Sequence, residues 1–445
     1  MEAVYSNDLK KAERLMDDSK WEKPNRNRLL FYLNKGTVLW MNGKNEQSNI
    51  YFKQADYFIE DYQKNYAEVL FSLITNQGYT TYQGENFEQI LLQYYVTLNF
   101  IQLGDFDNAL VACKRMQLTM QKITDSYKEN NKYKRDAFAH NLLGMIYDAQ
   151  HEYNSAFVAY RNALEIYNQD YKSMLETEVP MQLKKDLLRT AYLTGFDEEL
   201  GFYEKEFGMK YKIQPDSCGS VVFFWNNGLC PIKDQNEINF TIMPQGDGWV
   251  EFVNVNLGMR YRFYIGNEND RKNLSELKIV RIAWPKYISR SPIFDNAIIV
   301  DSSGNQSKLE LAEDINAIAY KSLEDRMFKE IATTVLRMAL KQALESASRK
   351  NDKNAGAAIS IINAFTEQAD TRNWQLLPYS INYTRVFLPE GNNKLTLQVT
   401  SSKSKSTEKM DYFFDIKRGQ TLFGSSQTLQ FSGYTDKYKI PVLMH

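Results

Sequence analysis

The sequence predicts a multidomain α plus α+β chain, in which an N-terminal α-solenoid of repeated helix pairs is followed by a mostly antiparallel β domain with an inserted helical pair. Two patterns predict this class. Apolar residues recur at helical spacing as far as about residue 208, and from about Cys218 they alternate or run in short pieces between Gly, Pro, Asn and Asp. The chain has 445 residues, more than one hydrophobic core usually supports. We therefore expect a helical domain over 1–208 and an α+β domain over 209–445.

The clearest helix pair begins at Ala137 and reads AFAHNLLGMIYDAQHEYNSAFVAYRNALEIY. Gly144, Tyr147, Ala156 and Tyr160 lie at the offsets of the tetratricopeptide pattern, W-x2-L-G-x2-Y followed by A-x3-F. Small residues are needed where the two helices cross, because bulk there would separate their axes. The segment therefore predicts a tetratricopeptide-like solenoid.

Two weaker copies precede this pair. In YLNKGTVLWMNGKNEQSNIYFKQADYF, Gly36, Ser48 and Phe52 keep the same internal spacing. In YYVTLNFIQLGDFDNALVACKRM, Thr97 replaces the glycine. A last helix pair around Gly195 would cap the stack, since terminal repeats commonly differ from the internal ones.

Repeat arrays of this kind have a concave face lined by the first helix of each pair, and proteins or peptides usually bind there. The alternative for each residue on that face is burial against a neighbouring helix. The candidates for contact with a protein partner are Leu33, Trp40, Met41, Tyr94, Leu98, Gln102, Asn141, Met145 and Asp148.

The C-terminal half has the alternation and the turn residues of strands. The predicted strands include VVFFW, EINFTI, GWVEFVNVNL, LKIVRIAWP, NAIIV, SINYTRVFL, KLTLQVT and MDYFFDI. Turns are predicted at Asn226-Asn227-Gly228, at Gly246-Asp247-Gly248 and at Pro389-Glu390-Gly391-Asn392, the last of them closing a hairpin. Between these strands, helical spacing predicts helices over about 322–369 that pack against each other or cover the sheet. The alternative is a hairpin that binds lipid or a partner.

The segment DTRNWQLLPYSINYTRVFLPEGNNKLTL combines charged and aromatic residues in a short space. Arg372, Trp374 and Arg385 are candidates for a ligand-reading surface of the C-terminal half. The alternative is a structural corner, in which Asp370 bonds backbone amides or pairs with an arginine. Along the strand, Arg385 would share a face with Tyr383.

Composition argues against several classes of function. With 54 Lys plus Arg against 55 Asp plus Glu, the net charge of -1 gives no field that would attract nucleic acid. Three His and three Cys without metal-ligand spacing, and no nucleophile or phosphate-binding motif, predict no catalytic residues, no metal and no cofactor. No run of 18 apolar residues is present, so the sequence predicts no transmembrane segment.

The chain resembles an uncharacterised family of bacterial envelope proteins, often predicted lipoproteins, with a tetratricopeptide-like N-terminal half. The resemblance covers about Tyr82 to Thr400. It rests on YQGENFEQILLQYYVTLNFIQLGDFDNALVACKR, DAFAHNLLGMIYDAQHEYNSAFVAYRNAL, VVFFWNNGLCPIK, the IAWP segment and the DTRxWxxLP segment DTRNWQLLP. It implies export to the periplasm or the outer membrane, often with a lipid on an N-terminal cysteine, and no catalytic residue. Because Met1 follows no leader here, we expect the leader to lie upstream, and a cytoplasmic location if there is none.

These observations predict a non-enzymatic scaffold of the bacterial cell envelope that binds a protein partner on the concave face of the helical repeats. The alternative is a protein that binds or hydrolyses glycan or peptidoglycan through its aromatic C-terminal domain. Of the chain's six Trp, Trp225 and Trp374 are the candidates for that contact.

Overall fold

The computed structural model describes residues 1–18, 25–64, 81–125, 135–215, 217–351 and 369–436. The N-terminal half is helical, as predicted. Helices α1 to α10 span Glu2–Tyr5, Leu9–Asp17, Arg28–Met41, Asn45–Lys64, Asn86–Gln102, Phe106–Asp125, Ala137–Ala149, Tyr153–Ile166, Met181–Thr194 and Asp197–Phe207. A π-helical turn, Tyr167–Tyr171, and a short helix, Lys172–Met174, continue α8.

Close helix crossings confirm the repeat assignment. A Cβ on Gly144 in α7 would lie 2.5 Å from the ring of Tyr160 in α8, and a Cβ on Gly36 in α3 would lie 2.5 Å from the ring of Phe52 in α4. In both pairs, the missing side chain makes room for an aromatic ring of the second helix. The pairs α3/α4, α5/α6 and α7/α8 are therefore tetratricopeptide-like repeats, with α9/α10 as the last pair.

The C-terminal half consists mostly of strands. Strands β1 to β13 span Cys218–Asn227, Ile232–Gly246, Trp249–Asn254, Met259–Tyr264, Ile279–Pro292, Asn296–Val300, Gln306–Lys308, Glu310–Asp314, Ser380–Pro389, Gly391–Thr400, Thr407–Ile416, Thr421–Thr428 and Phe431–Thr435. Helix α11, Glu268–Glu276, follows β4, and helix α12, Ile315–Asn351, follows β8.

Three sheets share these strands. The sheet that packs against the helices, which we call the groove sheet, has the strand order β12-β1-β9-β8. The sheet on its other face, which we call the outer sheet, has the order β11-β10-β6-β7, and a five-stranded sheet has the order β13-β5-β2-β3-β4. β1 and β12 pair in parallel, while the other pairs in the described strands are antiparallel.

The groove sheet is buried on both faces. Val221 and Phe223 of β1 pack with residues of the outer sheet in one core. Val222 and Phe224 of the same strand point the other way, into a core shared with the helices. Because successive side chains of a strand face opposite sides, the apolar run VVFFW contributes to two cores at once. The order of layers is therefore helices, groove sheet, outer sheet.

The inserted helix is longer at its N-terminal end than expected. It begins at Ile315 instead of near residue 322, directly after β8, and Asp314 accepts the backbone N–H of Ala317 at 2.8 Å, which caps its first turn. Ile331, Val335 and Met338 are buried. The second helix of the predicted pair lies outside the described residues. Among the described residues, no helix is long and apolar enough to cross a membrane.

Two of the predicted turns do not close hairpins. Asn226-Asn227-Gly228 leads from β1 into β2, but β1 pairs with β9 and β12, and β2 pairs with β3 and β5. Likewise, β9 belongs to the groove sheet and β10 to the outer sheet, so the turn at Pro389–Asn392 connects two sheets. The turn at Gly246-Asp247-Gly248 does join the paired strands β2 and β3, as predicted.

Candidate functional site

The concave face of the helical repeats is occupied by the chain's own groove sheet. Tyr94 of α5 donates its hydroxyl to Asn226 Oδ1 of β1 at 2.9 Å. Farther along the array, the hydroxyl of Tyr167 donates to the carbonyl of Ala312 at 2.7 Å. Phe138 of α7 meets Phe224 edge to face, with ring centroids 6.3 Å apart. The helices thus already hold a folded polypeptide surface.

The nine partner candidates on that face are placed accordingly. Seven are buried: Leu33, Trp40, Tyr94, Leu98, Asn141, Met145 and Asp148. Met41 is half-buried, and Gln102 is exposed while its side-chain amide donates to the carbonyl of Phe423 at 3.3 Å. In this arrangement the seven buried residues contact the protein's own chain and not solvent, so contact of these residues with a separate partner stays a prediction.

The DTRNWQLLP segment forms a structural corner between the two halves. Arg372 binds both carboxylate oxygens of Asp370, at 2.8 and 2.7 Å, and donates to the carbonyl of Arg26 at 2.8 Å. Trp374 is fully buried, and its indole N–H donates to the hydroxyl of Thr37 at 3.1 Å. The candidate surface of Arg372, Trp374 and Arg385 does not exist as an exposed patch, because Trp374 and Arg385 are buried against the helices.

Two buried carboxylates at the start of α5 hold this corner. Glu88 accepts the backbone N–H of Trp374 at 2.7 Å and the hydroxyl of Tyr82 at 2.5 Å. Burial and the charge of Glu85 raise the pKa of Glu88 to about 7. Burial also raises the pKa of Glu85, but the charges of Arg326 and Lys233 outweigh burial and lower this pKa to about 2.

A second buried charge cluster lies near the end of the array. Arg385 of β9 reaches Asp148 Oδ2 at 2.7 Å and Asp186 Oδ1 at 2.8 Å. Arg189 of α9 also donates to Asp148. One carboxylate thus accepts from two guanidinium groups, and Asp148, Asp186 and Arg385 have side chains that are at most 2% exposed.

An open cavity of about 350 Å³ adjoins this cluster, between α9, β9 and the connecting segment 209–214. Arg189 forms part of its wall. The residues that line it are Gln182, Lys185, Asp186, Leu188, Arg189, Met209, Lys210, Tyr211, Lys212, Gln214, Arg385 and Phe387.

The wall formed by 209–214 is held in place by specific contacts. The backbone N–H of Tyr211 donates to Glu204 at 2.8 Å, and the Tyr211 ring packs on Tyr192, with centroids 5.0 Å apart. Lys210 forms an ion pair with the same Glu204. The segment 209–214 is therefore attached to both α9 and α10.

Sequence reasoning missed Asp186 and Arg189. A signal was present, because LKKDLLRTAYL places an acid and an arginine three residues apart beside Leu187, Leu188 and Ala191, all of which are buried. Residues three apart lie on the same face of a helix, so Asp186 and Arg189 both lie on its buried, apolar face. A charged side chain on such a face needs a partner of opposite charge. The partner, Arg385, lies almost 200 positions away in sequence and could not be read from the helix.

The tryptophans named for the glycan alternative are also placed inside the protein. Trp225 is 2% exposed and Trp374 is 0% exposed, so neither can stack on a sugar. Both contribute their indole N–H to buried hydroxyls, Trp225 to Thr428 and Trp374 to Thr37.

No protein-family model and no curated protein matches this chain. Solved structures that match include a putative kinesin light chain with nearly identical TPR-like repeats from Podosopora anserina, at 12% identity and a TM-score of 0.32, covering 46% of this chain and 87% of that one. The MamA protein matches at 15% identity and a TM-score of 0.29, covering 48% and 93%. BtubC (BKLC) from P. vanneervenii matches at 15% identity and a TM-score of 0.32, covering 48% and 79%. Likeness this distant carries no argument about what the protein does.

Proposed function

We propose that the protein is a non-enzymatic interaction scaffold of the bacterial cell envelope that holds a protein partner at the cavity beside Arg189. The observation that carries this proposal is that this cavity is open, whereas seven of the nine candidate residues on the concave face are buried by the chain itself. A separate partner can reach the cavity without displacing the C-terminal half. The apolar walls at Leu188, Met209 and Phe387 suit an inserted side chain of such a partner.

The envelope location rests on the family resemblance, which implies an exported protein with a lipid on an N-terminal cysteine. Cell fractionation of the protein expressed from its native reading frame tests this part separately. We expect it in the membrane fraction, with incorporation of labelled fatty acid. Recovery of unlabelled protein in the cytoplasmic fraction would contradict the location and leave the scaffold proposal standing.

Site-specific photocrosslinking in the native bacterium tests the partner. Lys210, an exposed residue of the cavity lining, is replaced by a photoreactive amino acid, and Lys403, exposed in the tip between β10 and β11, serves as the matched control. We expect a discrete protein adduct from position 210 that is absent from position 403. The same adducts at both positions, or none from 210 and from the lining residue Gln214, would contradict a partner at this cavity.

A second candidate, glycan binding, is favoured by one exposed aromatic pair on the five-stranded sheet. Trp249 and Tyr264 are 38% and 62% exposed, with ring centroids 5.5 Å apart, and Arg262 lies 4.8 Å from the Trp249 ring. Exposed rings of this kind can stack on sugars through their faces. Retention on purified cell-wall sacculi that is lost in Trp249→Ala and kept in Phe413→Ala, a change at a 76% exposed ring on β11, would support it. Equal retention of both variants would contradict glycan binding at Trp249.

A further inference from the structure

The lining of the cavity beside Arg189 carries more positive than negative charge. Five cations and one carboxylate line it. Asp148 behind the wall pairs with Arg189 and Arg385, and Glu204 pairs with Lys210. Lys185 and Lys212, the remaining two lining cations, are exposed at the rim, and the charge of Lys185 also acts on the adjacent Asp186.

Arg189 belongs both to the buried cluster and to the cavity wall, as do Asp186 and Arg385. It is 8% exposed as a residue, and its Nε has no hydrogen-bond acceptor in the described part of the chain. Asp186 Oδ1 lies 3.9 Å from that Nε, too far for a hydrogen bond. That Nε is itself buried and Nη2 is bound to Asp148, so an oxyanion in the cavity would be attracted by the positive charge of Arg189.

The electrostatic setting favours the same ligand. Arg189 and Arg385 share the carboxylate of Asp148, and burial and the adjacent charge of Arg385 lower the pKa of Arg189 well below its usual value. A negative group in the cavity would offset the repulsion between these two guanidinium groups. Asp186 is the one acidic residue among the described residues that line the cavity. Its Oδ1 lies 2.8 Å from Arg385 Nε, and its Oδ2 is buried.

We propose that this cavity is an oxyanion site, which takes a carboxylate or phosphate group between Arg189 and the rim lysines Lys185 and Lys212. The inference rests on the proposed scaffold function and names the chemistry by which the partner is held: an acidic or phosphorylated group of the partner enters the cavity, and the apolar walls accept the atoms next to it. Carboxylate and phosphate groups both accept charge-assisted hydrogen bonds from Arg and Lys, and the experiment distinguishes between them.

The test measures the thermal unfolding midpoint of the full chain with inorganic phosphate or with glutarate, each against sodium chloride at equal ionic strength. Binding to the folded state raises the midpoint by mass action. We expect a rise with at least one anion. A rise with phosphate alone assigns the phosphate source, and a rise with glutarate assigns the carboxylate source.

Two double variants decide where the anion binds. In Lys185→Gln/Lys212→Gln, we expect the apparent affinity for the effective anion to fall at least about fivefold, because two charge-assisted contacts are lost. In Lys403→Gln/Lys405→Gln, which removes the same charge from an exposed tip elsewhere, we expect no change. All four lysines are exposed, so neither variant should disturb folding.

The proposal is overturned by two outcomes. One is no rise with either anion up to about 100 mM, a hundred times a millimolar Kd. The other is an equal loss, or no loss, in the two double variants. The crosslink at Lys210 separates this result from the scaffold proposal. A crosslink without an anion effect contradicts the oxyanion site only, and an anion effect without a crosslink contradicts the scaffold only.

Discussion

At the scale of single residues, Glu85 and Glu88 form a pair of buried carboxylates with opposite environments. Glu85 is neutralised by Lys233 and Arg326, both of which belong to the C-terminal half. Glu88 contacts no cation in the described structure and is held by N–H and O–H donors instead. Because one of those donors is the backbone of Trp374, the charge state of Glu88 is linked to the contact between the two halves.

We predict a pH dependence of stability that comes from Glu88. Its pKa is raised from the model-peptide value of 4.5 to about 7 in the folded protein, so the folded state binds a proton that the unfolded state has lost. Its contribution to the free energy of unfolding is fully present below pH 4.5 and is lost as the pH rises to 7, with a slope of up to about 1.4 kcal/mol per pH unit.

Urea unfolding at a series of pH values measures this contribution. The Glu88→Gln variant cannot take up the proton, so the difference in the free energy of unfolding between wild type and Glu88→Gln should change across this window. Glu408→Gln, a change at an exposed residue of β11, is the control and should follow the wild type at each pH. A wild-type minus Glu88→Gln difference that does not vary with pH would refute the prediction.

The Arg385 cluster gives a second prediction at this scale. Arg385→Ala should lower the free energy of unfolding by about 3–5 kcal/mol, because it leaves Asp186 without its closest cation and Asp148 with one cation instead of two. The midpoint of urea unfolding measures the loss. Lys172→Ala, which breaks an ion pair with Glu178 whose side chains are 62% and 73% exposed, should leave the midpoint within error. Equal effects of the two changes would contradict the role of burial.

At the scale of elements, the helix pairs depend on matched sizes at each crossing. Two pairs place a glycine against an aromatic ring, Gly144 against Tyr160 and Gly36 against Phe52. In the middle pair, the positions with the same spacing are Thr97 and Cys113, both of which are buried. Thr97 is larger than glycine and Cys113 is smaller than an aromatic residue, so the combined side-chain volume of the two positions changes less than either side chain alone.

We predict that Gly144→Ala lowers the free energy of unfolding by about 1–3 kcal/mol, because the new methyl group would lie 2.5 Å from the Tyr160 ring. Gly201→Ala in α10 is the matched control. A Cβ there meets no heavy atom within 4 Å, so the higher helix propensity of alanine should raise stability by up to about 1 kcal/mol. Thermal unfolding of both variants shows the difference, and a stabilised Gly144→Ala would mean that the crossing has room to spare.

These crossings show what the sequence allows one to predict. Helix pairing is local, so the spacing from Gly144 to Tyr160 predicts which side chains meet. Strand pairing is not local, and the alternation in SINYTRVFLPEGNNKLTL predicts two strands without predicting their partners. The turn at Pro389–Asn392 looks like that of a hairpin, yet β9 and β10 lie in different sheets because the apolar faces of both strands are buried together in one core.

The same distinction applies to the candidate site. Helix periodicity predicts the concave face, but it does not predict the groove sheet, which packs there through contacts between distant parts of the chain. Asp148 and Arg385 were named separately, on two different surfaces, and the structure brings them to 2.7 Å. A single sequence contains no signal for that contact, since either charge could equally have faced solvent.

At the scale of the whole molecule, the two halves share one core instead of meeting at a polar boundary. The helical residues Tyr94 and Phe138 belong to the same buried cluster as Phe224 and Tyr383 of the groove sheet. Buried polar contacts cross the same boundary, among them those of Glu88 with Trp374 and of Asp148 with Arg385. Interfaces of this apolar, hydrogen-bonded kind are typical of parts that do not separate while folded.

We therefore predict that the halves stay together after the connection between them is cut. A protease site inserted next to Ile213, which is 65% exposed, allows cleavage of the folded chain in the connecting segment. The two fragments should coelute at the volume of the uncut protein in size-exclusion chromatography. Their separation would expose the apolar residues of the shared core to water, which is unfavourable. The Arg385→Ala chain, cut in the same way, should release its fragments at a lower urea concentration than the wild-type chain. Separate elution of the wild-type fragments without denaturant would show that the helical half and the β half are independent bodies. The concave face of the helices would then be accessible to a partner.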